Sequence, residues 1–321
     1  MQIATILQKM QKTSDPKKLS GFICDLADAL NPPLALFEES DATFLMLAVD
    51  KNVPLEKLKD DDELEAIALR YEIGACDCKE DLTSAFNYYK TAADEDSTFA
   101  QLRLSNLYYA KRIPSEDHIA DFLNYCSRAC ENDCAQAYFN LANYYASIDD
   151  YDKAVDLYES ACNLNLVEAC VELGELFFEG EKVKENKDKA LELFEKSHKL
   201  GYPGALYMMA ECYLTGGESI QNLNKGIEIL KRLANNREVP ALYRLGECYL
   251  EGLGVKQDYA QARKWLEKAT AAHHIDAPFA LVPLLIEGKG GKVDIPHAIK
   301  ILKPLAKDDP EALELLNKIQ E

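Results

Sequence analysis

The residues able to bind a metal or attack a substrate are chiefly the ten cysteines and five histidines. Two local groups occur, Cys76-Asp-Cys78 and the set Cys126, Cys130 and Cys134, whose spacing of four would place three thiols on one helix face. A zinc site needs converging sulfur or imidazole ligands, and no histidine pair joins either group. Nucleophilic catalysis would need a base beside the nucleophile, which the scattered histidines do not offer. We predict no catalytic residue, metal or cofactor, and interpret most cysteines as small buried side chains.

One glycine-rich segment superficially resembles a phosphate-binding loop. Gly288-Lys-Gly-Gly-Lys292 combines backbone N–H groups with lysines, which is the chemistry that a phosphate needs. Its spacing does not match a Walker motif, and it lies where two helices must be connected. We therefore interpret it as an interhelical loop.

The acidic composition restricts the kinds of partner. The formal net charge is -19 at pH 7, with Lys and Arg scattered among Asp and Glu. A phosphate backbone would be repelled without a basic patch, so we predict no nucleic-acid partner. No apolar run approaches the roughly 18 residues of a membrane span, so we predict no membrane insertion. The N-terminus lacks the continuous apolar segment of a signal peptide, and we expect a cytoplasmic protein.

A repeat of 32 to 37 residues organises the chain. Large apolar side chains lie four and eight residues after the first position of almost every repeat, and a mostly small residue lies five after it. Positions 0, +4 and +8 share one helix face, so each repeat begins with an amphipathic helix that a second helix can approach closely. The repeats that begin at Glu63 and Ala100 depart most from the pattern. The first positions are Glu63, Ala100, Ala137, Ala169, Ala205, Ala241, Ala277 and Ala312.

A second helix follows the first in each repeat, marked by a recurring alanine or glycine such as Ala262. Between the two helices, residues 251–258 supply glycines that end one helix and Asp258, which can cap the next. The last repeat stops after one helix, at residues 311–320. We predict an all-α solenoid over residues 61–321 and an N-terminal helical cap over residues 1–60, whose helical pattern is broken at Asn31-Pro-Pro.

The best-defined repeat resembles a known family. The segment Ala241-Leu-Tyr-Arg-Leu-Gly-Glu-Cys-Tyr-Leu-Glu-Gly-Leu-Gly-Val-Lys-Gln-Asp, followed by residues 262–269, looks like a Sel1-like repeat. Residues 169–197 and 205–233 follow the same plan, and residues 137–161 are similar to the shorter tetratricopeptide repeat. The resemblance implies a right-handed α-α superhelix of about seven helix pairs with a terminal capping helix. It also implies a non-enzymatic scaffold or adaptor that holds another protein.

One pair of cysteines matches a feature of this family. In the cysteine-rich branch of bacterial Sel1-like proteins, cysteines eight apart at the junction of two repeats form disulfides, and the segment from Cys162 to Cys170 is similar. Only this junction has the full pattern, and the chain begins without an export signal. We therefore expect two reduced packing cysteines, with a disulfide as the alternative.

The first helices are where a partner would bind. In tetratricopeptide arrays, which this solenoid resembles, first helices line a concave groove, here at positions -1, +2, +6 and +9 of each repeat. Position +6 carries asparagines and then glutamates, between aromatic and aliphatic side chains at +2 and +9. Amides can bond an extended backbone and stacked glutamates favour a cation, so we predict a basic or amphipathic protein or peptide partner. The predicted groove residues are Asn106, Phe139, Asn143, Glu175, Phe178, Tyr207, Glu211, Leu214, Tyr243, Glu247, Leu250 and Phe279.

Other interpretations stay open. The +2 and +9 side chains could pack between repeats while the glutamates are ordinary solvated helix residues. The chain could also be a bacterial effector, secreted without a signal peptide into a host cell, that engages a host protein. A cysteine-rich minority of the family has been linked to binding or hydrolysing peptidoglycan-like ligands, and that activity would demand an exported, oxidised protein.

Overall fold

The computed structural model describes residues 6, 9, 39–60, 63–76, 78–217 and 220–320. Within these residues the chain forms 17 numbered α-helices and no β-strand, which confirms the predicted all-α fold. In chain order the helices are α1 (Glu39–Val49), α2 (Leu55–Asp60), α3 (Leu64–Ile73), α4 (Leu82–Asp94), α5 (Thr98–Tyr109), α6 (His118–Glu131), α7 (Ala135–Ser147), α8 (Tyr151–Asn163), α9 (Val167–Glu179), α10 (Lys187–Lys199), α11 (Ala205–Thr215), α12 (Leu223–Asn235), α13 (Val239–Glu251), α14 (Tyr259–Ala271), α15 (Ala277–Glu287), α16 (Ile295–Leu305) and α17 (Pro310–Gln320).

Helices α3 to α16 form seven consecutive pairs, the number that the repeat predicts, and α17 follows alone. The small residue at +5 allows the close approach within a pair. A Cβ atom on Gly246 of α13 would lie 2.8 Å from Leu266 Cγ of α14, and one on Gly174 of α9 would lie 2.6 Å from the Phe194 ring of α10. Both glycines therefore let the second helix lie directly against the first.

A recurring hydrogen bond links the two helices of a pair. The residue that caps the second helix donates its backbone N–H to the carbonyl of the +8 residue of the first helix, while its side chain accepts bonds from the first turn, as Asp258 does from Ala260 and Gln261. The donor and acceptor pairs are Asp81–Tyr71, Asp150–Tyr145, Asn186–Phe177, Asn222–Tyr213, Asp258–Tyr249 and Asp294–Leu285, at 2.8 to 3.0 Å.

The pair α5 and α6 departs from this geometry. Arg112 donates its N–H to the Leu107 carbonyl in the connecting loop. The alanine that marks the second helix, Ala120, is exposed, whereas the equivalent Ala154 and Ala190 are fully buried. This agrees with the irregular sequence of the repeat that begins at Ala100.

The turns after the second helices also repeat. One residue there adopts a positive φ. The next residue donates its backbone N–H to the carbonyl oxygen of the residue five positions earlier, as Glu238 does to Leu233 at 3.1 Å. This αL turn ends the first six of the seven second helices and starts the next first helix at a fixed spacing. The positive-φ residues are Asp96, Asp133, Asn165, Gly201, Arg237 and His273.

The chain divides into two compact units, Met1–Ala169 and Cys170–Glu321. In the first unit, the buried Arg103 pairs with Glu72, which also accepts a 2.8 Å hydrogen bond from the Tyr89 hydroxyl. The guanidinium of the equally buried Arg70 donates to four carbonyls at the end of α1 and in the following turn, at 2.9 to 3.2 Å. These bonds hold α1 against α3 and satisfy carbonyls that a helix end leaves free.

In the second unit, α17 closes the last hydrophobic cluster. Ala312 is fully buried there, with Leu315, Leu316 and Ile319 packed against the same cluster. This confirms the predicted terminal capping helix. The predicted N-terminal cap over residues 1–60 lies mostly outside the described residues and stays a prediction.

Candidate partner-binding site

Two cysteines of the larger group, Cys126 and Cys130, are packing residues. Cys126 is fully buried and donates to the Ala137 carbonyl at 3.2 Å, and Cys130 is buried beside it. Burial, with the neighbouring Cys134, raises the pKa of the Cys130 thiol to about 12. Such thiols stay protonated at neutral pH and are poor nucleophiles. Among the described residues, no group of three or more His, Cys, Asp or Glu side chains could hold a metal ion.

The glycines of the segment 288–292 serve packing. A Cβ atom on Gly290, whose φ is +74°, would lie 2.2 Å from the Tyr259 carbonyl oxygen at the start of α14. Arg263 of α14 donates to the Lys292 carbonyl at 2.9 Å. The loop thus lies against α14, and its glycines are needed for that contact.

The predicted asparagines of the first unit take part in an amide network. Asn140 donates to Asn106 at 2.9 Å and accepts from Gln136 at 2.8 Å, which joins the first helices α5 and α7. Asn143 is exposed, and its Oδ1 accepts a 2.5 Å bond from the Tyr158 hydroxyl of α8. The half-buried Phe139 ring lies 5.7 Å from the Tyr158 ring.

The hydrogen bonds of this network occupy the side-chain oxygens of two asparagines and leave their side-chain N–H groups as donors. The oxygens of Asn106 and Asn143 both accept internal hydrogen bonds. Their Nδ2 groups are donors, so the face of α5 and α7 can donate to a carbonyl of a partner. Asn140 and Gln136 were not among the predicted residues because the network depends on how neighbouring repeats align.

The predicted glutamates of the second unit do not form a uniform acidic row. Arg244 of α13 lies between two of them, with its Nε 3.0 and 3.1 Å from the two carboxylate oxygens of Glu211 in α11. Its Nη1 donates to Glu247 at 3.3 Å, one turn further along α13. We call the two glutamates, Glu211 and Glu247, together with the Arg244 that bridges them, the arginine-bridged pair. Sequence analysis missed Arg244, although its i, i+3 spacing to Glu247 is typical of a helix ion pair.

Two half-buried tyrosines lie beside the arginine-bridged pair. Burial and the nearby Glu211 carboxylate raise the pKa of Tyr207 well above its usual range. Burial and the Glu247 carboxylate do the same to the pKa of Tyr243, so both phenols stay neutral. The Tyr243 ring stacks on His274, with centroids 4.2 Å apart. Aromatic, cationic and anionic groups of the neighbouring first helices α11 and α13 thus lie close together.

Glu175 in α9 differs from the two bridged glutamates. It is half-buried, and burial together with Glu172 and Glu179 raises the pKa of its carboxyl group above the ordinary value. Among the described residues, no Lys, Arg or His lies within ion-pair distance of it. Its negative charge is therefore both partly desolvated and unbalanced.

Leu214 was wrongly assigned to the groove. Its side chain is 2% exposed and packs against Gly226 of α12, where a Cβ atom would lie 2.8 Å from Leu214 Cγ. Leu250 and Phe279 are half-buried against the last hydrophobic cluster, and Phe178 lies against the cluster that contains Phe194. These three keep some exposed surface, so they contribute to packing and to the face at once.

The structure also changes the interpretation of one cysteine junction. Cys162, at the end of α8, and Cys170, in the first turns of α9, are both disulfide-bonded, which corrects the expectation of two reduced side chains. Both are buried, at 2% and 0% exposure.

The paired helices and the face made by the first helices define an α-helical repeat protein. A family model for the Sel1 repeat matches residues 66–97, 135–166, 167–202, 203–237 and 239–274, which together exceed half of the chain. The protein therefore belongs to the Sel1 repeat family. The unmatched residues 98–134 include the irregular pair α5 and α6.

Solved structures of Sel1 repeat proteins resemble most of this chain. A Sel1 repeat protein from Oxalobacter formigenes is 22% identical with a TM-score of 0.57, over 99% of this chain and 93% of that one. A protective antigen present in uropathogenic Escherichia coli strains, displaying an SLR fold, is 22% identical with a TM-score of 0.59. That match covers 83% of this chain, which spans 58% of the antigen's length. At these identities, the likeness shows the fold alone.

Comparison with curated proteins found no match. Sel1 repeat proteins typically mediate protein–protein interaction. No helix among the described residues is long and apolar enough to cross a membrane.

Proposed function

We propose that this protein is an adaptor whose first helices bind a segment of another protein, and that a basic side chain of that segment pairs with Glu175. The observation that carries the proposal is the charge of Glu175, which is half-buried, repelled by Glu172 and Glu179, and unpaired among the described residues. A cation placed there would offset both the desolvation and the repulsion.

The rest of the first-helix surface supports an extended or helical segment with little charge of its own. In the second unit, Tyr207 and Tyr243 offer aromatic contact area of the kind that dominates binding energies. In the first unit, Asn106 and Asn143 offer amide donors to a peptide backbone. The first helices of the two units thus offer different kinds of contact.

The test compares two charge reversals on one chain. Random linear peptides are selected on the wild-type protein by display, and the affinities of selected peptides are measured by calorimetry. Glu175→Lys should weaken binding by about tenfold or more, because it places a cation against the cation of the peptide. Glu228→Lys is the matched control, since Glu228 is exposed on the second helix α12 of the same unit, and should change affinity by less than about twofold.

Two results would contradict the proposed role of Glu175. Selected peptides without Lys or Arg, or equal affinities for the two variants, would remove Glu175 from the interaction. A single substitution is preferable to reversing Glu211 and Glu247 as well, because those changes would also break the bonds to Arg244.

A second candidate function is a binder or hydrolase of peptidoglycan-like ligands outside the reducing cytoplasm. The disulfide-bonded Cys162 and Cys170 favour it, because disulfides persist in oxidising compartments. Cells are lysed in an alkylating reagent without reductant, and peptides that contain these cysteines are mapped by mass spectrometry. Alkylated Cys162 and Cys170 would argue for the cytoplasmic adaptor, whereas a bridged pair would justify testing release of fragments from purified peptidoglycan.

A further inference from the structure

Arg244 divides the predicted acidic row into two chemically different parts. Glu175 carries an unbalanced charge, while Glu211 and Glu247 share one guanidinium at 3.0 to 3.3 Å. The side chains of Glu211, Arg244 and Glu247 are 14%, 17% and 24% exposed, so solvent screens this bridge only in part. The three groups together keep a formal charge of -1, because the guanidinium compensates one of the two carboxylate charges at close range.

The bridge leaves one edge of the guanidinium unused. Nε and Nη1 donate to the two carboxylates, and Nη2 has no hydrogen-bond partner among the described residues. Nη2 is also not among the fully buried polar atoms that lack a partner, so part of its surface reaches solvent. A solvent-facing N–H₂ group held by two ion pairs is an oriented donor, which a carbonyl oxygen can accept.

Resting on the function proposed above, we infer that Arg244 sets the specificity of the second unit's first-helix face: it excludes a second cation of the partner and binds a neutral carbonyl group instead. The segment that fits is one with a basic residue opposite Glu175 and, one repeat further, an uncharged part with a free carbonyl. Tyr207 and Tyr243 beside the bridge favour an apolar or aromatic side chain at that point.

The physical reason is competition for the same carboxylates. A partner lysine or arginine could pair with Glu211 and Glu247 only by displacing Arg244, which would leave a half-buried guanidinium without its counter-charges. Removing Arg244 should therefore expose a strong second site for a cation. A variant without Arg244 should then bind a partner segment with two basic residues more tightly than a segment with one.

The experiment is a lysine scan on one peptide selected with the wild-type protein. Lysine replaces each neutral residue in turn, and the affinities for wild type and Arg244→Gln are measured by calorimetry. We expect one position at which the added lysine leaves wild-type binding unchanged or weaker, yet strengthens binding to Arg244→Gln by about tenfold. Equal changes for both proteins at every position would overturn the inference.

The matched control is Arg263→Gln. Arg263 is 15% exposed and pairs with Glu267 at 3.1 Å, but it lies on the second helix α14 of the same unit. Its lysine scan should match that of the wild type. Arg244→Lys, which keeps the positive charge, should also behave like the wild type in the scan.

A further measurement covers the case in which Arg244→Gln does not fold, as judged by circular dichroism. The peptides whose added lysine strengthens binding to the wild-type protein are measured again with two variants. The added lysine should no longer strengthen binding to Glu175→Lys, and it should still strengthen binding to Glu211→Gln. A favourable lysine with the opposite behaviour would show that Glu211 is free to bind a cation and would contradict the inference. Failure of the proposed function looks different, because then no selected peptide depends on Glu175 in the first place.

Discussion

At the residue scale, buried charge distinguishes the two compact units. In the first unit, Glu72, Arg103 and Tyr89 satisfy one another in the core, with the Arg103 Nε 3.1 Å from Glu72. In the second unit, Glu211, Arg244 and Glu247 do so near the surface. Fully buried ionic groups must be paired because an isolated charge in the core is too costly. The first group therefore serves the fold, and the second is the one that we propose to contact a partner.

The buried group yields a stability prediction. Arg103→Met should lower the free energy of unfolding by about 3 to 5 kcal/mol, because it leaves the Glu72 carboxylate buried without a counter-charge. Urea denaturation measures the loss. Glu72→Gln combined with Arg103→Met should be less destabilised than the sum of the single changes, since the charge itself is then removed. Additive effects would mean that the two groups do not interact as a pair.

Glu175 yields a prediction about pH. Its pKa is raised in the folded protein, so the folded state holds the proton more tightly than the unfolded state does. The associated stability is fully present below the ordinary glutamate value of 4.5 and is lost as pH rises through the folded pKa. Glu175→Gln should therefore increase the free energy of unfolding at pH 7 and leave it almost unchanged near pH 4. Urea titrations of both proteins at the two pH values test this.

The Glu175 carboxylate is a place where binding of a partner and stability of the free protein make opposite demands. A charge that destabilises the free protein is one that a basic partner can stabilise. An increase in stability of equal size at both pH values in Glu175→Gln would contradict the pKa argument and weaken the case for Glu175 as an anchor.

At the element scale, the positions of the helices could be predicted from the sequence because the same local chemistry recurs in each repeat. The Asx cap, the +8 carbonyl and the αL turn are all short-range features, and their residues recur at nearly constant spacing. The partners of Glu211 could not be predicted in this way. Arg244 is 33 residues further along the chain, and its contact depends on how two repeats pack together.

The loop against α14 yields a prediction at this scale. Gly290→Ala should destabilise the protein by about 2 to 3 kcal/mol, because it adds a Cβ atom 2.2 Å from a backbone oxygen at a positive φ. Gly217→Ala is the control, since no atom lies within 4 Å of its Cβ position and its φ is not positive. Thermal melts of both variants compare them. A Gly290→Ala protein as stable as the control would reopen the question of what these glycines do.

At the scale of the whole molecule, the charge of -19 acts before any contact forms. The net negative charge attracts positively charged partners before contact. Salt screens this attraction, and the Debye length is about 10 Å at 0.1 M ionic strength. We propose that the specific contacts lie on the first helices and that the net charge adds a general preference for basic partners. These two contributions affect different steps of binding, and kinetics can separate them.

We expect the association rate of a selected basic peptide to fall steeply as salt rises from low to physiological ionic strength, while its dissociation rate changes little. Glu228→Lys reverses a charge on the second helix α12, outside the proposed first-helix contacts, and should slow association slightly without affecting dissociation. Glu175→Lys should mainly speed dissociation, because it removes a close, partly desolvated ion pair. Stopped-flow measurements with the wild type and both variants distinguish these effects. If Glu175→Lys and Glu228→Lys altered only association, and by equal factors, the peptide would be attracted by the overall charge and Glu175 would have no specific role.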